Sequence, residues 1–279
     1  MRMLWARVQL TAPSLLGGRF KMRPLASAPA ALRDVLNEGR VGLRPYERLA
    51  GVYHAYASSF CPGYVPFLRA WARQCRLQVS AALDLACGAG TLTGQLAGWV
   101  PRVVGLDLSR EMLAATRQRL AGVPNLRFEQ GDFRQFDLGE RVDVVVSAGY
   151  SMNYLRQAGE LGRVFGCVSG HLRPRGLFAF DALDHRGLRR VSGRYIEIRQ
   201  DGEECYIVLR YDEERRVENS LVFFGGEAEL HRRIPIEPEA VLKAAAEAGF
   251  AVRDWFSLAG FGLLKYGGYR NFFLLQQRP

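Results

Sequence analysis

One short stretch carries the strongest chemical signal: Leu83-Asp84-Leu85-Ala86-Cys87-Gly88-Ala89-Gly90-Thr91, where an acid precedes a loop of small residues. Glycine lets backbone amides approach a ligand closely. A helix beginning near Thr91 would also turn the positive end of its dipole toward that ligand, which suits a carboxylate. The glycines fall as GxGxxxG at Gly88, Gly90 and Gly94, not in the GxGxxG order of a dinucleotide-binding turn. The preceding acid disfavours a pyrophosphate and suits an ammonium. The loop asks for a ligand that carries both an ammonium and a carboxylate.

The methionyl end of S-adenosylmethionine has both groups, and later residues are spaced for the rest of that molecule. Asp107 ends the next apolar run, 17 residues beyond Gly90, where an acid can accept hydrogen bonds from both ribose hydroxyls. Leu108 and Met112 could wall one face of an adenine. Gly131-Asp132-Phe133 offers an acid to its amino group and a ring to its edge. Ala86, Cys87, Gly88 and Gly90 of the loop, and Ser147 after a later apolar run, complete the expected cofactor-binding set.

These residues need a frame that brings several strand ends into one crevice, and the chain supplies the pattern for it. Apolar runs at 81–86, 103–107, 126–129, 142–147 and 176–181 alternate with helical patterns at 91–99, 109–120 and 160–172. Ser109 is a good N-cap, with Glu111 in the first turn. Such alternation implies a parallel sheet covered by helices on both faces. From about residue 194 to 231 the period shortens to two, with Asp201-Gly202 and Gly225-Gly226 as turns, so an antiparallel insertion is expected. A helix over 238–248 and two strands near 251–256 and 269–275 follow. The fold class is therefore α/β, a Rossmann-like, mostly parallel sheet of seven strands plus a small antiparallel lobe. Upstream, aromatic residues from Tyr46 to Trp71 at spacings of three, four and seven predict two helices across 41–75 with a bend near Pro62-Gly63.

The chain has 279 residues, 48% of them apolar, enough for one large core with a small appended lobe. Its formal charge of +10 suggests nucleic acid until the charge is located. Residues 1–33 hold five Arg and one Lys with no acid, leaving about +4 on the body, where acids are interleaved. Nucleic acid is thus not the expected partner. The domain reading is a basic, flexible extension over 1–40 and a catalytic domain over 41–279, with the insertion at about 190–232. The extension resembles an organelle transit peptide in composition, and equally an upstream start with Met22 as the alternative, or a simple arm. Five cysteines without CxxC or Cys/His clustering read as free thiols in a reducing, cytoplasmic setting, and no metal-ligand spacing is present. No apolar run is long enough for a membrane-spanning helix.

Taken together, LDLACGAGTLT, VVGLDLSREML, FEQGDF and VDVVVSAGYSMNYL resemble the class I S-adenosylmethionine-dependent methyltransferases, over about 46–279. Tyr46-Glu47-Arg48-Leu49-Ala50 followed by Tyr53-His54 looks like the YxxLAxxYD opening of a bacterial small-molecule subgroup. Asp181 and His231-Arg232-Arg233 resemble its later landmarks. By that likeness Tyr46 would reach the methionyl carboxylate, Asp84 and Gly88 would hold the amino group and backbone, and Asp107 the ribose. The insertion would be a lid or acceptor wall. Two positions depart from the subgroup: Tyr150 stands where an acid is frequent, and His54 where an Asp is usual. Both positions face the methyl end in the family.

Methyl transfer is an in-line displacement at a carbon already activated by a sulfonium, so alignment and exclusion of water are the protein's main tasks. A phenol or alcohol acceptor gains from a general base, an amine less so. The candidate catalytic residues are Tyr150, Asn153, His231 and His54, with Tyr154 nearby and Tyr195 and Tyr206 as lid contacts. The expected function is methylation of a small-molecule N or O acceptor. Two alternatives share the loop: chemistry on the methionyl side chain that releases methylthioadenosine, and methylation of nucleic acid.

Overall fold

The computed structural model describes residues 22–38, 40–57, 63–200, 202–258 and 270–278. In chain order the elements are β1 (Arg23–Pro24), α1 (Ala30–Glu38), β2 (Arg40–Leu43), α2 (Leu49–Ala57), α3 (Tyr64–Gln74), β3 (Ala81–Leu85), α4 (Thr91–Ala97), β4 (Arg102–Asp107), α5 (Arg110–Arg119), β5 (Leu126–Gln130) and β6 (Val142–Ser147). They continue with α6 (Leu161–His171), β7 (Leu172–Leu183), α7 (His185–Val191), β8 (Arg194–Gln200), β9 (Glu203–Asp212), β10 (Val217–Phe224), β11 (Glu227–Arg233), α8 (Pro238–Glu247), β12 (Phe250–Leu258) and β13 (Arg270–Gln277).

Two sheets result. The seven-stranded one has the order β12-β13-β7-β6-β3-β4-β5. Strands β3 to β7 pair in parallel, and β13 runs against β7. Because β3 is followed by β4 on one side and has β6 on the other, the strand order reverses between β3 and β6. Open α/β sheets bind ligands at the carboxyl ends beside such a reversal. Both central strands are buried along their whole length, as their unbroken apolar runs require when helices cover both faces. One core face, around Phe165, Phe178 and Phe180, lies under α6 and α8; the other, around Phe67, Trp71 and Leu92, under α3 and α4. Ser109 caps α5 as expected, its hydroxyl accepting the Met112 amide.

The second sheet has the order β1-β8-β9-β10-β11-β2. Its alternation sends Ile196, Ile198, Ile207, Leu209, Val222 and Phe224 toward Leu49 and Val52 of α2, and Tyr195, Tyr206, Val208 and Phe223 toward Ala28 and Leu32. Three expectations change here. Residues 41–43 are a strand, not the start of a helix, because Val41 pairs with Ala228 at the edge of this sheet. The segment from Met22 onward is not a free arm: Leu32 is fully buried against the sheet. Tyr195 and Tyr206, expected as lid contacts, lie on the α1 face, away from the cavity described below. Residues 1–21, with four of the leader's six cations, and Asp201 of an expected turn lie outside the described residues, as does Cys61. The other four cysteines are free thiols. No described helix is long and apolar enough to cross a membrane.

Candidate active site

The β3–α4 loop is built from backbone conformations that few residues adopt. Ala86, Gly88 and Gly90 all have positive φ, at 60°, 52° and 68°. Hydrogen bonds hold the loop to its neighbours, among them one from the Arg119 guanidinium to the Ala89 carbonyl. The Gly88 amide donates to Asp107 Oδ2 at 2.7 Å, the Cys87 amide to the Leu106 carbonyl at 3.0 Å, and the Thr116 hydroxyl to the Gly88 carbonyl at 2.8 Å. The loop is thereby fixed to the end of β4 and to α5. A side chain at Gly90 would collide with the methyl of Thr116.

Two acids sit beneath this loop. Asp84 is buried and accepts the Thr93 hydroxyl at 2.6 Å. Burial pushes its pKa up to about 7, against the Thr93 hydrogen bond and with help from the nearby Asp107 charge. Burial also raises Asp107, although the amides of Ser109 and Gly88 oppose it. Its Oδ1 takes the Ser109 amide at 2.9 Å and its Oδ2 the Gly88 amide, and even with the Leu108 amide beside them the carboxylate's acceptor sites are not all filled.

Above them opens a cavity of about 570 Å³. Asp84, Ala86, Cys87, Gly88 and Asp107 line its floor. Leu108, Met112, Asp132 and Phe133 line one flank, and Tyr46 and Tyr154 another. Leu108 is 65% exposed, an apolar side chain standing open at the cavity edge. Asp132 is already gripped by Arg134, whose Nε donates to both of its oxygens at 3.0 Å, and this holds its carboxyl below the usual range.

Six of the expected residues are not in this wall. Gly90 lies behind it, where its bareness serves the packing of the loop on α5. Ser147 is buried at the end of β6 with an unpartnered hydroxyl, and the next residues, Ala148 and Gly149, form the surface instead. His54 stands behind Thr91, its Nδ1 at 3.1 Å from that hydroxyl. Asn153 spends its side chain on the frame: Nδ2 donates to the carbonyls of Leu183 and Ile234, and Oδ1 accepts the Leu183 amide. That full set leaves it a tie between elements, not a group presented to a substrate. Tyr150 (φ 64°) is buried with its ring under Arg270, whose guanidinium lies 4.8 Å from the ring centre. Asp181 fixes this corner by accepting the amides of Gly149 and Tyr150 and the Nε of Arg270.

Tyr150 and His231 do face a small recess of about 40 Å³, also lined by Ser220 and Arg233. Tyr46, Tyr53, Gly149 and Tyr154 line both spaces, so the recess adjoins the main cavity where the two sheets meet. The Tyr46 hydroxyl donates to that of Tyr154 at 2.7 Å, and both residues line the cavity. Glu229 was not anticipated, yet its two oxygens accept the amides of Tyr46, Arg48 and Leu49 and meet His231 Nε2 at 2.9 Å. The signal was in the sequence: residues two apart on a strand share a face, so an acid at 229 had to stand beside His231.

Residues 82–176 match the family model described as a methyltransferase domain. YqeM of Bacillus subtilis, named as a putative methyltransferase, is 32% identical over 58% of this chain and 70% of its own length. The chain belongs to the S-adenosylmethionine-dependent methyltransferases. Within that family it is also 38% identical to the dTDP-3-amino-3,4,6-trideoxy-alpha-D-glucopyranose N,N-dimethyltransferase of Streptomyces venezuelae, over 36% of this chain. It spans 41% of that relative's length. Among solved structures, an S-adenosylmethionine-dependent methyltransferase from Clostridium acetobutylicum shares the fold with a TM-score of 0.66 at 21% identity, covering 77% of this chain and 90% of that one. Streptomyces venezuelae DesVI does so at 0.62 and 22%, covering 82% and 98%. The cavity fits the family's cofactor. A buried acid near an open apolar edge, and an acid with spare lone pairs, match an ammonium, an adenine and a ribose diol.

Proposed function

We propose that the chain methylates an amine on a small, sugar-like acceptor, with S-adenosylmethionine in the main cavity. The observation that carries this reading is the shared wall of Tyr46, Tyr53, Gly149 and Tyr154, where the cavity above the glycine loop meets the recess under the second sheet. A donor in the cavity and an acceptor against that wall would face each other. In this reading Asp84 holds the methionyl ammonium and Asp107 the ribose hydroxyls. Leu108 and Met112 flank the adenine, Asp132 takes its amino group, Phe133 meets its edge, and Ala86, Cys87 and Gly88 supply backbone. The cofactor, when bound, supplies a methyl group activated by the sulfonium charge. The chain's residues align the acceptor nitrogen with it and keep water out. His231 acts from the recess, and Tyr150 and Asn153 keep the β6–α6 connection in place. The amine class comes from the sugar N,N-dimethyltransferases among the relatives.

The test is incubation of the full chain with S-adenosylmethionine and a panel of nucleotide-linked amino sugars and simple alcohols, with both cofactor products measured. S-adenosylhomocysteine formed only with amines is the expected result. Methylthioadenosine as the product would favour side-chain chemistry instead.

A further inference from the structure

A continuous hydrogen-bonded line runs from the second sheet to the cavity wall. Glu229 Oε2 meets His231 Nε2 at 2.9 Å, His231 Nδ1 meets the Tyr154 hydroxyl at 3.1 Å, and the Tyr46 hydroxyl meets that of Tyr154 at 2.7 Å. Glu229 is fully buried and His231 only 2% exposed, so both are screened from bulk water, whereas Tyr46 and Tyr154 line the cavity. The edge of the His231 ring packs on Tyr46 with centroids 4.7 Å apart.

The protonation states of the line follow from its partners. Burial pushes Glu229 upward, but His231 and three backbone amides outweigh it and keep the carboxyl below its ordinary range. A carboxylate only accepts, so Nε2 carries a proton toward Glu229, and when the ring is neutral that leaves Nδ1 to accept from Tyr154. Burial raises the pKa values of Tyr46 and Tyr154, so both stay phenols and can pass a proton but not hold a negative charge. Every proton in the line then points away from the cavity, and the end that meets a ligand is a bare lone pair on Tyr46.

We propose that Tyr46, Tyr154, His231 and Glu229 form a proton relay that deprotonates an ammonium acceptor at the cavity wall. This rests on the amine reading given above. The acceptor's N–H bond breaks and its electron pair stays on nitrogen, which becomes nucleophilic. The proton goes to the Tyr46 oxygen as the Tyr46 proton passes to Tyr154 and the Tyr154 proton to His231 Nδ1. The imidazolium so formed is held by the Glu229 carboxylate, and the reverse shift returns the proton to water once product has left. His231 is faced by Glu229 and Arg233 from its own strand, and by Ser220 and Glu218 from β10. Tyr154, Tyr150, Tyr46 and Tyr53 border it from the cofactor side. The Arg233 charge is matched by Glu218, to which its Nε and Nη2 donate, so the added proton is balanced by Glu229.

The test is the pH profile of kcat/KM for dTDP-3-amino-3,6-dideoxyglucose in the wild type and Tyr154→Phe, which breaks the line while keeping the ring. We expect a loss of about 10²-fold below the acceptor's own amine pKa, shrinking above it, where free amine is present without help. An equal deficit at every pH overturns the relay. If the wild type methylates no amine, the acceptor reading fails, and the relay is then judged by ¹⁵N resonances of the histidines in the full chain with S-adenosylhomocysteine. An Nε2–H tautomer of His231 whose Nδ1 resonance moves in Tyr154→Phe supports it; a neutral Nδ1–H tautomer overturns it.

Discussion

Glu229 on β11 accepts the Leu49 amide at 2.8 Å across 180 residues of sequence, so a strand of the second sheet caps the first turn of α2. The same carboxylate takes the amides of Tyr46 at 2.8 Å and Arg48 at 2.6 Å. A helix start leaves amides without intrahelical partners, and here one buried side chain from the other sheet satisfies three neighbouring donors. Helix α2 carries Tyr53 to the cavity and follows directly on Tyr46, so the inserted sheet helps set the shape of the cofactor side.

Removing that carboxylate should therefore destabilise the whole chain. Glu229→Ala is expected to lose about 3 kcal/mol in urea unfolding, because buried amides and His231 lose their partner together. Glu229→Gln keeps an acceptor and should lose less. The Glu229 pKa is lower folded than unfolded, so its contribution is present above the unfolded value near 4 and fades as pH falls through the folded one. The Ala variant should thus show a flatter acid limb. A loss under about 1 kcal/mol with an unaltered limb would remove Glu229 from this role.

Asp84 gives the opposite slope. Its folded pKa of about 7 lies above that of an unfolded Asp, so the ligand-free fold gains from its protonated form. That contribution is complete below about pH 4 and is lost as pH rises through 7. Asp84→Asn should flatten the decline in melting temperature between pH 5 and pH 8, within the ranges set by these values. Affinity for S-adenosylhomocysteine should rise through the same interval in the wild type, as the ionised form becomes available to an ammonium, and lose that rise in the Asn variant. Titration calorimetry at the two ends decides the matter: equal affinities at both would mean that Asp84 meets no cation.

How much of this was legible in the sequence depends on the range of the contacts. Strand β6 falls on residues 142–147 as its apolar run predicts, and Asp84, Asp107, Met112 and Asp132 line one cavity because strand ends in an alternating α/β chain converge. The position of Asn153 and Tyr150 after β6 is legible, but direction is set by distant partners: Leu183 and Ile234 for the first, Arg270 for the second. The strand at 40–43 was hidden for the same reason, since its pairing partner lies at 227–229. The Glu229 cap needed both sheets to be placed first.

Asp107 is the residue through which the loop and the expected ribose site share a single carboxylate. Asp107→Asn leaves one oxygen and adds two donors beside the Gly88 and Ser109 amides, where donors are unwelcome. Affinity for S-adenosylhomocysteine should fall by about 30-fold, or about 2 kcal/mol, the scale of a hydrogen bond to a charged group. Melting should drop as well, because the Gly88 amide at 2.7 Å loses a charged acceptor. Unchanged calorimetric affinity would place the ribose elsewhere.

Gly90 separates packing from ligand contact. It lies outside the cavity wall with φ 68°, and a Cβ there would run into the Thr116 methyl and approach Leu120 Cδ1 at 3.2 Å. Gly90→Ala should cost about 2 kcal/mol, part from the left-handed conformation and part from the collision. The two parts can be told apart by adding Thr116→Ser, which removes the offending methyl yet keeps the hydroxyl that donates to the Gly88 carbonyl at 2.8 Å. The double variant should recover about half of the lost stability, and the remainder belongs to the backbone. Recovery of S-adenosylhomocysteine affinity in step with stability would mean that Gly90 acts by holding the loop against α5. Affinity that stays low while stability returns would mean that the Gly90 backbone itself meets the ligand.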